Sequence, residues 1–156
     1  GRRDPDLLRV VADAGCPVVL MHSRGNSTTM DELTDYSDLI EEVKAGLRDR
    51  TDSAIAAGIK EDQIIWDPGL GFAKTHEQNL SLLSSLEQLT CEPRPLLVGP
   101  SRKRFIGAVL DEPRPKARLW GTAAVACRCA QAGVALVRVH DVGPIAQTLR
   151  MASALW

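Results

Sequence analysis

The chain has no excess charge: 19 basic against 20 acidic residues leave a formal net charge of −1 over 156 residues. No broad field therefore draws it to nucleic acid or to an anionic membrane, and any anion must be caught locally. Long apolar runs are missing as well. Nothing approaches a membrane span, and the N-terminal GRRDPDLL has no apolar signal core, so a soluble, cytoplasmic protein is expected. Gly1 stands where an initiator Met would, which leaves room for a piece of a longer protein.

Other absences narrow the chemistry. The four cysteines, Cys16, Cys91, Cys127 and Cys129, fall in helical patterns or at element ends, so reduced thiols are expected and no disulfide framework. Cys127 and Cys129 are two apart on a helical pattern with no His nearby in sequence, which argues against a metal pair. GLGFAKT has neither the Walker spacing nor the third glycine of a dinucleotide fingerprint. No Ser/His/Asp nucleophile elbow and no paired carboxylates at strand ends are found, against hydrolysis by covalent or two-acid routes.

What is present reads as one domain over residues 1–156, with 44% hydrophobic residues. PDLLRVVADAG predicts a short helix closed by Gly15, and CPVVLMH a strand. Apolar residues from Asp31 to Gly58 recur at helical spacing and predict a long surface helix, broken at most once. QIIWD is the second strand. A capping box of Thr75 and Gln78 opens a helix whose Leu80, Leu83 and Leu86 share a face. PLLVG is the third strand, followed by a short helix over SRKRFIGAVL. The helix through WGTAAVACRCAQAG ends at Gly133, VALVRVH is the fourth strand, and GPIAQTLRMASALW is the last helix. The alternation predicts an α/β fold with a parallel sheet covered on both faces and right-handed crossovers, either open and doubly wound or part of a (β/α) barrel.

Polar residues gather where each strand ends: PVVLMH runs into Ser-Arg-Gly, IIWD into Pro-Gly, PLLVG into Pro-Ser-Arg-Lys, VALVRVH into Asp-Val-Gly. That edge is where parallel α/β folds build ligand sites. Asp67 alone would be an ordinary Asp-Pro-Gly turn former, but with four such ends together it reads as a ligand-binding carboxylate. Arg102, Lys103 and Arg104 oppose the macrodipole of the helix they open, which points to something anionic nearby, although solvated side chains would also fit. Arg138 inside an apolar run is the least surface-like basic residue, and His140 shares its face, so the pair is read as a clamp for a phosphate-bearing ligand. A His140 bonded to Asp141 or to backbone is the alternative. His22 reads equally well as a structural histidine, and His76 as solvated.

DPGLGFAKT with Asn79 downstream, GPSRKRFIG, WGTAA and RVHDV, in this order, resemble dihydropteroate synthase, the folate-pathway transferase that sulfonamides inhibit. LMHSRG looks like that family's fifth-strand segment. The resemblance implies a TIM (β/α)8 barrel, of which this chain covers roughly the second half, strands five to eight with their helices. The first-half motifs are absent.

The resemblance further implies a reaction joining dihydropterin pyrophosphate to p-aminobenzoate with release of pyrophosphate. Asp67 would accept from the pterin amino group and ring N–H. Phe72 would line the aminobenzoate side, Lys103 would reach the pterin edge, Ser101 would lie by the aminobenzoate carboxylate, and Gly99 would admit backbone close to the pterin. Arg138 would stack over the pterin and, with His140, hold the leaving pyrophosphate, so that Lys103, Arg138 and His140 form the catalytic set. Mg2+ is implied for the full-length family, with an incomplete site here. A homodimer is implied for the full-length family too, and the isolated chain is expected to be inactive without its N-terminal half. Two other readings stand beside it: a methyltetrahydrofolate–corrinoid methyltransferase-like pterin domain, and a non-enzymatic half-barrel that serves as an assembly partner.

Overall fold

The computed structural model describes Asp4 and residues 6–155. The expected start of the first helix at Pro5, the arginines of GRRDPDLL and the final Trp156 lie outside the described residues. Helix α1 spans Leu7–Ala14 and ends at Gly15, whose φ of 63° supplies the left-handed cap. Strand β1, Val18–Met21, follows, then a loop with a 3-10 turn at Met30–Glu32, then α2 over Leu39–Ala56. The predicted helix from Asp31 is thus too long at its start. Asp38 takes extended backbone and its carboxylate accepts from the N–H groups of Ile40 and Glu41, so the helix cannot begin before Leu39.

β2 is Ile64–Asp67, and α3, His76–Ser84, opens on the Thr75–Gln78 capping box as predicted. Ser85 interrupts the pattern before α4, Glu87–Thr90. That break corrects the expected stripe: Leu82, Leu83 and Leu86 are buried, while Leu80 faces solvent. β3, Leu97–Val98, leads to α5, Arg104–Leu110, then α6 over Leu119–Gln131, β4 over Leu136–Val137 and α7 over Val142–Ser153.

β1 and β2 pair in parallel, with Val18 opposite Ile64 and Met21 opposite Asp67, and β3 pairs with β4 in parallel. A parallel bridge between Trp66 and Leu96 joins the two halves, so the strands lie side by side in chain order. All four C-terminal ends therefore open on the same edge. Ile64, Trp66 and Leu20 pack into a core with Val43 and Leu47 of α2, and Trp66 Nε1 donates to Thr51 Oγ1 at 2.8 Å inside it. The opposite positions are less covered than a two-sided sheet would be: Val19 is 43% exposed and Leu136 is 42% exposed. Helices in this chain pack on one side of the strands, leaving apolar positions on the other to face solvent. The four cysteines are free thiols. Cys129 is buried on α6, and burial pushes its thiol up to about 12. Among the described residues no helix is long and apolar enough to cross a membrane.

Candidate active site at the strand ends

Asp67 closes β2 and is 4% exposed. Its Oδ1 accepts from the Gly69 N–H at 2.8 Å, so the Asp-Pro-Gly turn is real, yet the carboxylate spends only part of its capacity on it. Burial raises its pKa; the Gly69 N–H and the charges of Arg138, Lys103 and Lys74 act against that rise. Gly69 is obligatory here. Its φ is +69°, and a Cβ would fall 1.9 Å from the carbonyl oxygen of His22.

The turn from Asp67 to Lys74 is held from several sides. Asn79 Oδ1 accepts from the Gly71 N–H at 2.7 Å, and the Tyr36 hydroxyl donates to the Ala73 carbonyl at 2.9 Å. Ala73 has a φ of 50°, a strained value for a residue with a Cβ, which persists only where the surroundings impose it. Lys74, buried, places Nζ 3.1 Å from His22 Nδ1 and donates to the carbonyls of Gly69 and Phe72 at 3.2 and 3.1 Å. Burial pushes this lysine down to about 7, with Asp67 opposing. The cradle accommodates either state: an ammonium donates three times, while a neutral amine donates to both carbonyls and accepts from an Nδ1–H of His22.

Lys103 caps α5 and stacks its ammonium 4.2 Å from the centre of the Phe72 ring. Burial lowers its pKa against the pull of Asp67. The neighbouring cations are already matched: Arg102 makes a two-pronged pair with Asp141 at 3.1 and 2.7 Å, and Arg104 pairs with Asp31. Of the three basic residues at this helix start, only Lys103 makes no ion pair among the described residues.

Arg138 corrects an expectation. It is exposed, and among the described residues the buried lysine and arginine are Lys74 and Arg118. The apolar run around Arg138 suggested burial, but β4 is two residues long and lies at the end of the strand order, so little covers it. Arg138 has no carboxylate within ion-pair distance among the described residues. It lies across Gly99, where a Cβ would come 3.1 Å from its Nη2. His140 bonds neither Asp141 nor backbone through its ring; its Nδ1 lies 2.8 Å from Ser101 Oγ, which also accepts from the His140 N–H at 3.1 Å. Phe72, Gly99, Ser101, Lys103, Arg138 and His140 together line an open cavity of about 590 Å3. His22 is buried beneath the loop, and His76 is exposed at the start of α3.

Two residues escaped the sequence reading. Lys74 was visible only as the last basic residue of a glycine-rich run. Arg118, 8% exposed, donates to the carbonyls of Glu112, Arg102 and Pro113 at 2.8, 3.0 and 2.7 Å, and so fixes the turn that carries Lys103. It sat in a proline-rich stretch that read as loop. Magnesium takes oxygens, commonly one or two carboxylates with waters and substrate phosphates completing its octahedron. Asp141 is committed to Arg102, Asp67 partly to Gly69, and no group of three His, Cys, Asp or Glu comes together among the described residues.

Known proteins resemble this chain over nearly its whole length. The dihydropteroate synthase of Synechocystis is 52% identical over 153 residues, covering 98% of this chain and 53% of the relative. A crystal structure of the Yersinia pestis dihydropteroate synthase with a sulfonamide drug complex superposes with a TM-score of 0.93 at 34% identity, covering 98% of this chain and 55% of that one. The Thermus thermophilus enzyme in complex with 4-aminobenzoate gives 0.92 at 36% identity, covering 99% of this chain and 63% of that one. The chain thus spans about half the length of the curated relatives it matches, and its fold is an α/β one of the TIM-barrel kind. The pterin binding enzyme profile matches residues 1–140, and the chain belongs to the pterin-binding enzyme family.

Proposed function

We propose that this chain is the pterin-binding part of a dihydropteroate synthase, corresponding to strands five to eight of its barrel. The observation that carries the reading is the buried Asp67 carboxylate beside a cavity lined by Lys103, Arg138 and His140. A fixed acceptor with spare lone pairs suits the amino group and ring N–H of a dihydropterin, and unpaired cations suit a diphosphate. In the reaction, the p-aminobenzoate amine attacks the pterin methylene, the bond from that carbon to the pyrophosphate oxygen breaks, and the amine loses a proton. Arg138 and His140 hold the charge that gathers on the departing pyrophosphate, the largest electrostatic contribution this edge can make.

Lys103 reaches the pterin edge with its ammonium steadied by Phe72, whose ring faces the aminobenzoate. Gly99 lets Arg138 lie close to the backbone beneath the pterin. Ser101 is read as the neighbour of the aminobenzoate carboxylate, acting with the His140 ring its hydroxyl already holds. Magnesium, if the full enzyme uses it, finds most of its ligands outside this chain. A homodimer and a cytoplasmic location complete the reading. Exposed Trp120 and Val109 on α6 and α5 are the apolar surface that favours association. The names of the relatives favour the synthase over methyl transfer to a corrinoid.

Calorimetric titration of the chain with a dihydropterin, beside Asp67→Ala, is the test. Binding that disappears in the variant supports the reading. Equal binding by both proteins, or none by a folded wild type, would sink it for this chain. Turnover is expected to be negligible until an N-terminal half is supplied, and turnover matching a full-length synthase would overturn that part.

A further inference from the structure

We infer that Lys74 is a positioning residue for the ligand site, its nitrogen locking the 67–74 turn against the end of β1 and thereby setting both Asp67 and Phe72. The inference rests on the pterin reading above for its functional consequence and on geometry alone for the lock. Two connections carry it. Lys74 Nζ donates to the Gly69 carbonyl, and the N–H of that same residue donates to Asp67 Oδ1, so the lysine is two hydrogen bonds from the carboxylate. Lys74 Nζ also donates to the Phe72 carbonyl, and the Phe72 ring carries the Lys103 ammonium at 4.2 Å. The third contact, 3.1 Å from His22 Nδ1, ties the turn to the residue that follows β1.

The geometry separates positioning from bulk stability. Asn79 and Tyr36 hold the turn at Gly71 and Ala73 independently of Lys74, and the Trp66 amide is bonded to the Pro95 carbonyl on the neighbouring strand. Removing the lysine nitrogen takes this donor from the Phe72 carbonyl, leaves the Gly69 carbonyl with the Phe72 N–H, and breaks the contact with His22 Nδ1. The turn opens locally while the sheet stays closed, because loops and core open with separate free energies.

Lys74→Met keeps the length and apolar stem of the side chain and deletes the nitrogen; Lys74→Gln is the second variant should the first fail to fold. Amide hydrogen exchange is followed by NMR in the ligand-free chain. Expected is a fall of about tenfold or more in protection at Gly69 and Phe72, as for unpairing buried polar groups, with Trp66 unchanged. Titration with a dihydropterin should then show affinity reduced by about tenfold in the variant. Unchanged protection in the turn, in whichever variant folds, overturns the lock. A fall in protection at Trp66 equal to that at Gly69 overturns it too, since the lysine would then be an ordinary core group. Altered turn protection with unchanged dihydropterin affinity overturns the positioning role. A wild type that binds no dihydropterin defeats the proposed function instead, while the exchange result still decides the lock.

Discussion

The two halves of the sheet edge are built on different physics. At β1 and β2 the polar residues are buried: Asp67, Lys74 and His22 lie at or below 9% exposure, with Lys74 beside His22 and Asp67 bonded to the turn between them. At β3 and β4 the strands are two residues each, and Arg138 and His140 stand exposed over an open cavity. On the proposed function, a buried carboxylate with fixed neighbours would read the shape and hydrogen-bonding pattern of a ring, and exposed donors would hold a charged group that must also leave. On that same function, the difference would give recognition to the first half and leaving-group charge to the second.

Stability is the most direct way to break that comparison. Ile64→Ala empties a fully buried position of β2 and is expected to cost about 3 kcal/mol, whereas Leu136→Ala on exposed β4 should cost less than about 1 kcal/mol. Urea denaturation of both variants decides it, and equal costs would erase the distinction. Asp67→Asn comes next. Its amide presents a donor where the pterin needs an acceptor, so dihydropterin affinity should fall by about 30-fold or more in a calorimetric titration. An affinity within a factor of about three would remove Asp67 from the recognition role.

The buried half also carries a pH signature with a definite sign. Lys74 titrates at about 7 when folded, below its ordinary value of 10.5. Between those values the unfolded chain holds a proton that the folded chain has released. Unfolding takes up that proton, so stability rises with pH through the window, by at most about 1.4 kcal/mol per pH unit. Thermal melts from pH 7 to 8.5 should show Tm rising by about 3–5 °C per unit, and Lys74→Met should flatten the slope. At the top of this range free thiols begin to ionise. There Cys129, held protonated by burial, would pull stability the other way. A wild-type Tm that falls across this range would show that Lys74 stays charged in its cradle.

Much of this was legible in the sequence because strands and caps are local. The IIWD run, the Thr75–Gln78 box and Gly15 each carry their reason within a few residues, and all stand where they were expected. The clustering of polar strand ends was legible too, since parallel strands force their C-terminal ends onto one edge. What could not be read was burial set by distant packing. Arg138 looked buried because its neighbours are apolar, but exposure at the end of the strand order depends on what lies alongside, not on the run itself. Lys74 and Arg118 were not singled out, for a different reason. Their partners are backbone carbonyls, which carry no sequence signature, and the His22–Lys74 contact spans 52 positions. The early start given to α2 fails differently, since Asp38 was a cap signal in plain view among several acidic residues.

Arg138 supplies the smallest and most specific test of the division between the halves. Because its side chain is exposed and makes no ion pair among the described residues, Arg138→Met breaks no ion pair, and unfolding by urea should be nearly unchanged. Pyrophosphate affinity should fall by about five- to tenfold, the scale of one charge-assisted contact in partial solvent. The contact is electrostatic and open to water, so the deficit should shrink as salt is raised from 0.05 to about 0.5 M and the ions screen it in both proteins. An affinity for an uncharged dihydropterin that stays equal in wild type and variant would confine Arg138 to the leaving group. If instead dihydropterin affinity fell as far as pyrophosphate affinity, the guanidinium would be part of ring recognition, and the boundary between the two halves would run through the pterin itself.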